Sequence, residues 1–166
     1  MRNESGMGIT TFFVRLLNKT NQELYRLQKP KLWGRRCQLN GIPTIYAIDK
    51  LDIGKDVSLN SGVIIQCSGG VQIGNRVTIS RDVLILTVGL DTDNWLENSS
   101  KKYRDHVKKP VVISDGVWLG ARAVLCPGSY IARNSIVAAG AVVSGRLEEE
   151  NAIYGGVPAK FIKKFK

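Results

Sequence analysis

The chain contains one histidine, His106, in the stretch KYRDHVKKPVVI beside Asp105. Imidazole takes up and returns protons near neutral pH, so His106 is the natural acid–base group. Two more carboxylates, Asp91 and Asp93, open the same polar stretch, 91–110, in which Trp95 also lies. Asp105, Asp91 or Asp93 could orient the imidazole or pair with its charge. Asp91, Asp93 and Trp95 are also candidate contacts to a bound acceptor. Cysteine chemistry is not indicated. Cys37, Cys67 and Cys126 are odd in number and form no C-x-x-C pair, which argues against a disulfide framework or structural zinc. Cys67 and Cys126 stand in apolar, strand-like stretches and read as small buried hydrophobes. One histidine per chain also cannot supply a three-histidine catalytic zinc, so no metal is expected.

These groups need a scaffold, and its signature is a period of six. Ile113, Leu119, Leu125, Ile131, Val137 and Val143 recur at every sixth position. An earlier set runs Ile53, Leu59, Ile65 and, after a slip of two residues at CSGGVQ, Ile73, Ile79, Ile85. Four residues after these aliphatics stand small or β-branched residues, such as Val57, Val63, Gly69, Val117, Ala123 and Ser129. A helix repeats at 3.6 and a strand at 2, so neither explains the pattern. Internal repetition of this kind marks a solenoid. If each unit is one short strand and a corner, three units close a triangular coil of about eighteen residues, and coils stack as parallel strands about 4.8 Å apart. The large aliphatics point inward and the small residues fit the corners. A β-sandwich would show alternation instead.

The predicted order is a helix and transition segment over 1–46, repeats over 47–144 interrupted by the loop 91–110, and a basic tail over 145–166. Ile9, Phe12, Phe13, Leu16, Leu17, Leu24 and Leu27 lie at helical spacing, which predicts an amphipathic helix over 9–27. It is expected to cap the prism or pack on a partner subunit. A membrane surface is the less favoured partner, despite Arg15, Lys19 and Arg26 beside the apolar face. Long loops in regular scaffolds usually carry function. The net charge of +10 favours anionic partners. Its basic residues gather in KPKLWGRR, KKYRDHVKK and AKFIKKFK with no nucleic-acid motif, which favours a small polyphosphorylated ligand over DNA or RNA. No apolar run approaches the ~18 residues of a spanning helix, and no signal-peptide pattern opens the chain, so a cytoplasmic location is expected.

With VWLGARAVLCPGSYIARNSIVAAGAVVS and the terminal GGVPAKFIKK, the chain resembles the hexapeptide-repeat acyltransferases. The nearest subgroup is the galactoside, maltose and polysaccharide O-acetyltransferases. The resemblance spans about residues 50–164. It implies a left-handed parallel β-helix and a homotrimer, with acetyl-CoA as acyl donor in the groove between neighbouring prisms. It further implies Trp118 near the pantetheine arm, the Gly120 and Ala121 backbone at the thioester end, and Ala139 as a second backbone contact. Ser144 would lie near the nucleotide, and Lys160 and Lys163 would face the phosphates. Gly145 stands where relatives often carry lysine, which removes one phosphate partner.

The implied reaction is acetyl transfer to a saccharide hydroxyl, such as a capsule or exopolysaccharide precursor. An amino-sugar N-acyltransferase and a non-catalytic trimeric scaffold remain alternatives. Attack on a thioester by a hydroxyl needs a base. In the relatives a histidine supplies it just before the loop. Here, in LTVGLDTDNW, Val88 occupies that position when aligned on LD, and Leu90 when aligned on the glycine. Ser68 falls where some relatives carry an acceptor-positioning carboxylate. The expectation is that His106 is a relocated general base. Asp91, Asp93 and Trp95 would bind the acceptor, and the backbone N–H of Gly120 or Ala121 would stabilise the oxyanion.

Overall fold

In the computed structural model, which describes residues 9–33 and 35–165, short parallel strands stack into a three-walled column. The first wall holds Gln38–Asn40, Ser58–Asn60, Thr78–Ile79, Trp118–Leu119, Ile136–Val137 and Ala152–Gly155, closed by antiparallel Lys160–Lys164. The second holds Thr44–Tyr46, Ile64–Gln66, Leu84–Ile85, Val124–Leu125 and Val142–Val143. The third holds Leu51–Ile53, Val71–Ile73, Val111–Ile113, Tyr130–Ile131 and Arg146–Leu147. Parallel β-helical architecture thus follows from the six-residue pattern.

The core is three aliphatic ladders, one per wall. Register stacks Leu39, Leu59, Ile79, Leu119 and Val137 with Tyr154 on the first wall. All twelve aliphatics that define the period are at most 4% exposed. Val57, Val63, Val77, Val83, Val117, Ala123, Ser129, Ser135 and Ala141 are buried at the corners. Each buried Leu, Ile or Val among them contributes roughly 1.5–3 kcal/mol by leaving water. Tyr154 closes the upper end, its hydroxyl donating to Glu149 O at 2.9 Å and accepting from Glu149 N at 2.8 Å. Helix α1 spans Ile9–Gln28 and α2 spans Pro30–Trp33, whose Leu32 is buried against the lower end.

Two details differ from the sequence expectation. The first coil already begins at Gln38, inside the stretch read as transition. Ser58 stacks on Gln38 and Thr78 on Ser58, a step of twenty residues, whereas Ile136 stacks on Trp118, a step of eighteen. The extra residues of the lower coils all fall at the corner between the second and third walls: a 3-10 turn at Ile48–Lys50 in the first coil and Cys67–Gly70 in the second. Counting sixes backward from Ile53 therefore lands on Ala47 and Gly41, not on the true ladder residues Ile45 and Leu39.

The corner between the third and first walls is held differently. Arg36, Asp56, Arg76, Gly116, Asn134 and Asn151 all take positive φ there. In IGNRV the left-handed residue is thus Arg76; Gly74 is required because a side chain would strike Asp115 of the coil above. The Asp115 carboxylate accepts the Asn75 N–H at 2.8 Å, which holds its pKa below the ordinary value of 3.8. The unfolded chain binds this proton more readily, so the bond's stabilisation is complete above 3.8 and fades as pH falls through the lower native value. Asp115→Ala is therefore expected to lower the thermal midpoint at pH 7, with the gap to the unsubstituted protein narrowing in melts taken toward pH 3.

Candidate active site

The corner between the first and second walls is a strip of bare backbone. Gly120 and Ala121 turn it in one coil, and Ala138, Ala139 and Gly140 in the next. Coil stacking requires this smallness at Gly120, where a side chain would come within 2.5 Å of Ala139 N; Gly140 has open space beside it and is called for by its positive φ. Trp118, half-exposed just before the corner, donates its indole N–H to Ser80 Oγ at 2.9 Å. The Gly120 N–H is committed to Val137 O at 2.8 Å and so is not an oxyanion donor. Among the described residues, the Ala121 and Ala139 N–H groups have no partner within the chain. Lys160 and Lys163 are exposed on the hairpin that ends the first wall. Ser144 does not join this strip; it stands at the opposite edge of the second wall.

That opposite edge, between the second and third walls, carries the long insertion. It is an arm rather than a plain loop, and it leaves the column earlier than expected. Val88–Leu90 pairs antiparallel with His106–Lys108, and helix α3, Trp95–Ser100, forms the tip. At the neck, the buried Thr87 hydroxyl donates to Gln66 O at 2.7 Å and accepts from Gly69 N at 2.8 Å. Buried Asn98 ties the two limbs together. Its amide donates to Asp91 O at 3.0 Å and Asp105 O at 3.3 Å, and its oxygen accepts from Asp105 N at 2.6 Å. No sequence signal singled out Asn98 or Thr87.

His106 lies directly across the ribbon from Leu90. The flanking bonds, Asp91 N to Asp105 O and Lys109 N to Thr87 O, put this pair at a non-hydrogen-bonded site, where opposed side chains are closest. Imidazole thus sits beside one of the two positions where relatives carry theirs, reached from the returning strand. Asp105 does not orient it: its carboxylate is held by Lys101 Nζ at 2.7 Å. Asp91 Oδ1 accepts the Asp93 N–H at 3.1 Å. Both line a cavity of about 230 Å³ with Gly89, Val107, Lys109 and Pro127. Asp93 also borders a neighbouring hollow with Trp95, over whose ring the Arg104 guanidinium lies at 5.3 Å. Lys109 is a cation at this site that the sequence did not single out.

In one chain, then, the backbone strip and the histidine arm stand on opposite edges of the second wall. The outer surface of that wall carries an apolar column, Ile64, Leu84, Val124 and Val142, stacked above Thr44. A solvated outer face would alternate to polar residues, as the third wall does with Asp52 and Gln72. Burial pushes the Cys67 thiol up to about 11 and raises that of Cys37, so neither supplies a thiolate. Among the described residues, no group of three or more His, Cys, Asp or Glu could hold a metal.

Comparison with known proteins points the same way. Residues 110–145 match the family "bacterial transferase hexapeptide (six repeats)". The Escherichia coli K12 protein WbbJ, named as a lipopolysaccharide biosynthesis O-acetyl transferase, is 37% identical over 165 residues, covering 81% of this chain and 83% of that protein. The galactoside O-acetyltransferase of the same organism is 28% identical over 114 residues, covering 69% of this chain and 54% of that protein. A hexapeptide-repeat acetyltransferase from Vibrio cholerae, solved in complex with acetyl coenzyme A, has the same fold, with TM-score 0.71, 24% identity, and coverage of 88% of this chain and 78% of that one.

The arm's own rigidity is testable. Asn98→Ala removes the side chain that joins its limbs, at a cost of about 1–3 kcal/mol to the local structure. Hydrogen exchange of the Asp91 and Asp105 amides is expected to accelerate, while that of Leu119 and Leu125 stays unchanged.

Proposed function

The chain belongs to the hexapeptide-repeat acyltransferase family, and from that premise we propose that it moves the acetyl group of acetyl-CoA to a saccharide hydroxyl. The acceptor is a sugar of a polysaccharide or lipopolysaccharide precursor, and the working unit is a homotrimer. The observation that carries this reading is the division of the site between two edges of one apolar wall. If the second walls of three copies face a common axis, the backbone strip of each copy meets the arm of the next. Ile64, Leu84, Val124 and Val142 are then withdrawn from water.

In that seam the pantetheine of acetyl-CoA follows the strip past Trp118, Gly120, Ala121 and Ala139. Only side chains as small as those at Gly120, Ala121 and Ala139 let it approach the backbone. Lys160 and Lys163 face its phosphates, and the neighbouring copy's Ser144 falls on the other side of the seam. The same neighbour supplies the arm, on which Asp91, Asp93 and Trp95 hold the sugar. His106 takes the proton of the attacking hydroxyl as the C–O bond forms at the thioester carbonyl. The N–H of Ala121 or Ala139 stabilises the oxyanion, Gly120 being committed elsewhere. Collapse breaks the C–S bond, and the proton passes from the imidazolium to the coenzyme A thiolate. The reaction belongs in the cytoplasm, the compartment that supplies acetyl-CoA. Among the described residues, no helix is long and apolar enough to cross a membrane.

His106→Gln is expected to lower kcat about 10²–10⁴-fold, with acetyl-CoA binding retained. Ala121→Trp is expected to block acetyl-CoA binding by filling the strip. Mixing these two inactive variants under conditions of subunit exchange should restore part of the activity, because some seams then pair an intact strip with an intact arm. Undiminished turnover in His106→Gln would remove the base assignment, and failure of the mixture to recover would remove the shared site.

A further inference from the structure

Helix α1 lies on the column the other way round from an ordinary amphipathic helix. The side turned toward the column is its polar one. Tyr25 packs against the core, and the Arg26 guanidinium donates to Cys37 O. Asn18 and Gln22 face Asn40 and Gly41 across a small hollow. At about 100° per residue, Phe12, Phe13, Leu16, Leu17, Leu24 and Leu27 fall in one arc of about 140°, centred opposite Asn18 and Gln22 and interrupted by Thr20 and Glu23. Each of these six is between 49% and 63% exposed. The helix therefore does not cap the column with its apolar face, and that face has no cover among the described residues.

Charge indicates what covers it. Arg15 and Lys19 run along one border of the arc, in line with Arg26, whose guanidinium is tied to Cys37 O and Glu23. From residue 9 to residue 37 the sequence holds seven Lys or Arg and a single acidic residue, Glu23. Glu23 is itself paired with Arg26 at 3.2 Å. Two copies of this face packed antiparallel would set like-charged borders against each other. Lipid phosphates would instead pair with those borders, while acyl chains receive the aromatic and leucine side chains. We propose that α1 lies flat on an anionic bilayer surface, its apolar arc sunk among the acyl chains and its basic border at the headgroups. The attachment is peripheral, since no described helix can span a membrane. It is independent of the acetyl-transfer chemistry, and it would bring the column to a surface where lipid-carried saccharides are presented.

Co-sedimentation of the full chain with vesicles tests this. Phosphatidylcholine vesicles containing phosphatidylglycerol should bind the protein at least about tenfold more tightly than vesicles of phosphatidylcholine alone, and added salt should weaken that preference. Leu16→Asp with Leu17→Asp should abolish vesicle binding, and Arg15→Ala with Lys19→Ala should erase the preference for phosphatidylglycerol. Circular dichroism and acetyl-CoA binding should be unchanged in both variants, because these side chains are exposed. Equal binding to both vesicle types, or none to either, would overturn the proposal. So would an absence of vesicle binding accompanied by dissociation of the Leu16→Asp, Leu17→Asp variant in light scattering, which would assign the face to another copy.

Discussion

Parallel strands in register place like residues above like, and every other property of this column follows from that constraint. An aliphatic ladder can run up each wall only if every coil contributes a residue of matching size at the same level. At the corners, successive backbones come so close that a side chain added at Gly54 would sit 2.6 Å from Gly74 of the next coil. Between the first and second walls the same crowding selects Gly120, beside Ala121 and Ala139, while Gly140 answers to its positive φ. A surface kept bare for the sake of stacking is also one that a long, thin substrate can approach. The proposed donor channel is thus a by-product of how coils stack, sharpened by Trp118 at its margin.

The corner between the second and third walls obeys looser rules. It accommodates a 3-10 turn in the first coil, Cys67–Gly70 in the second, the whole arm in the third, and Pro127 with Gly128 in the fourth. The arm is inserted where the scaffold already tolerates variation in length. It is then made rigid locally, by Thr87 at the neck and Asn98 between the limbs. Its ribbon register explains how a histidine on the returning strand can stand beside a position that holds leucine on the outgoing one. Relocation across a two-stranded ribbon changes the strand that carries the imidazole with little change in where it sits.

The fold was legible in the sequence because its period is carried by large residues with no polar exceptions. Leu39 and Ile45 escaped because two-residue insertions put them out of phase with Ile53. The apolar column Ile64, Leu84, Val124 and Val142 was in plain view, one position before each ladder residue. It acquires meaning only when coils of unequal length are stacked. Small residues at Gly120 and Ala139 were legible as a strip, but their hydrogen bonds were not: only geometry commits the Gly120 N–H to Val137 and leaves that of Ala121 without a partner among the described residues. Asp105 was a natural partner for His106 by adjacency. Alternation along a strand turns neighbours to opposite faces, and Lys101, four residues back, holds its carboxylate instead.

A stack of parallel strands has no intrinsic reason to stop, since its last rung offers unpaired N–H and C=O groups to any extended chain. At the upper end the chain turns back on itself. Lys160–Lys164 covers the first wall's final strand, and the turn before it satisfies Val142 from both sides, Val142 N donating to Gly156 O and Ala159 N to Val142 O. The covering strand is itself lined with Lys160 and Lys163, whose ammonium groups repel an identical strand arriving alongside, while Lys164 pairs with Glu149. The same lysines that would greet a phosphate thereby also keep columns from joining end to end into fibres.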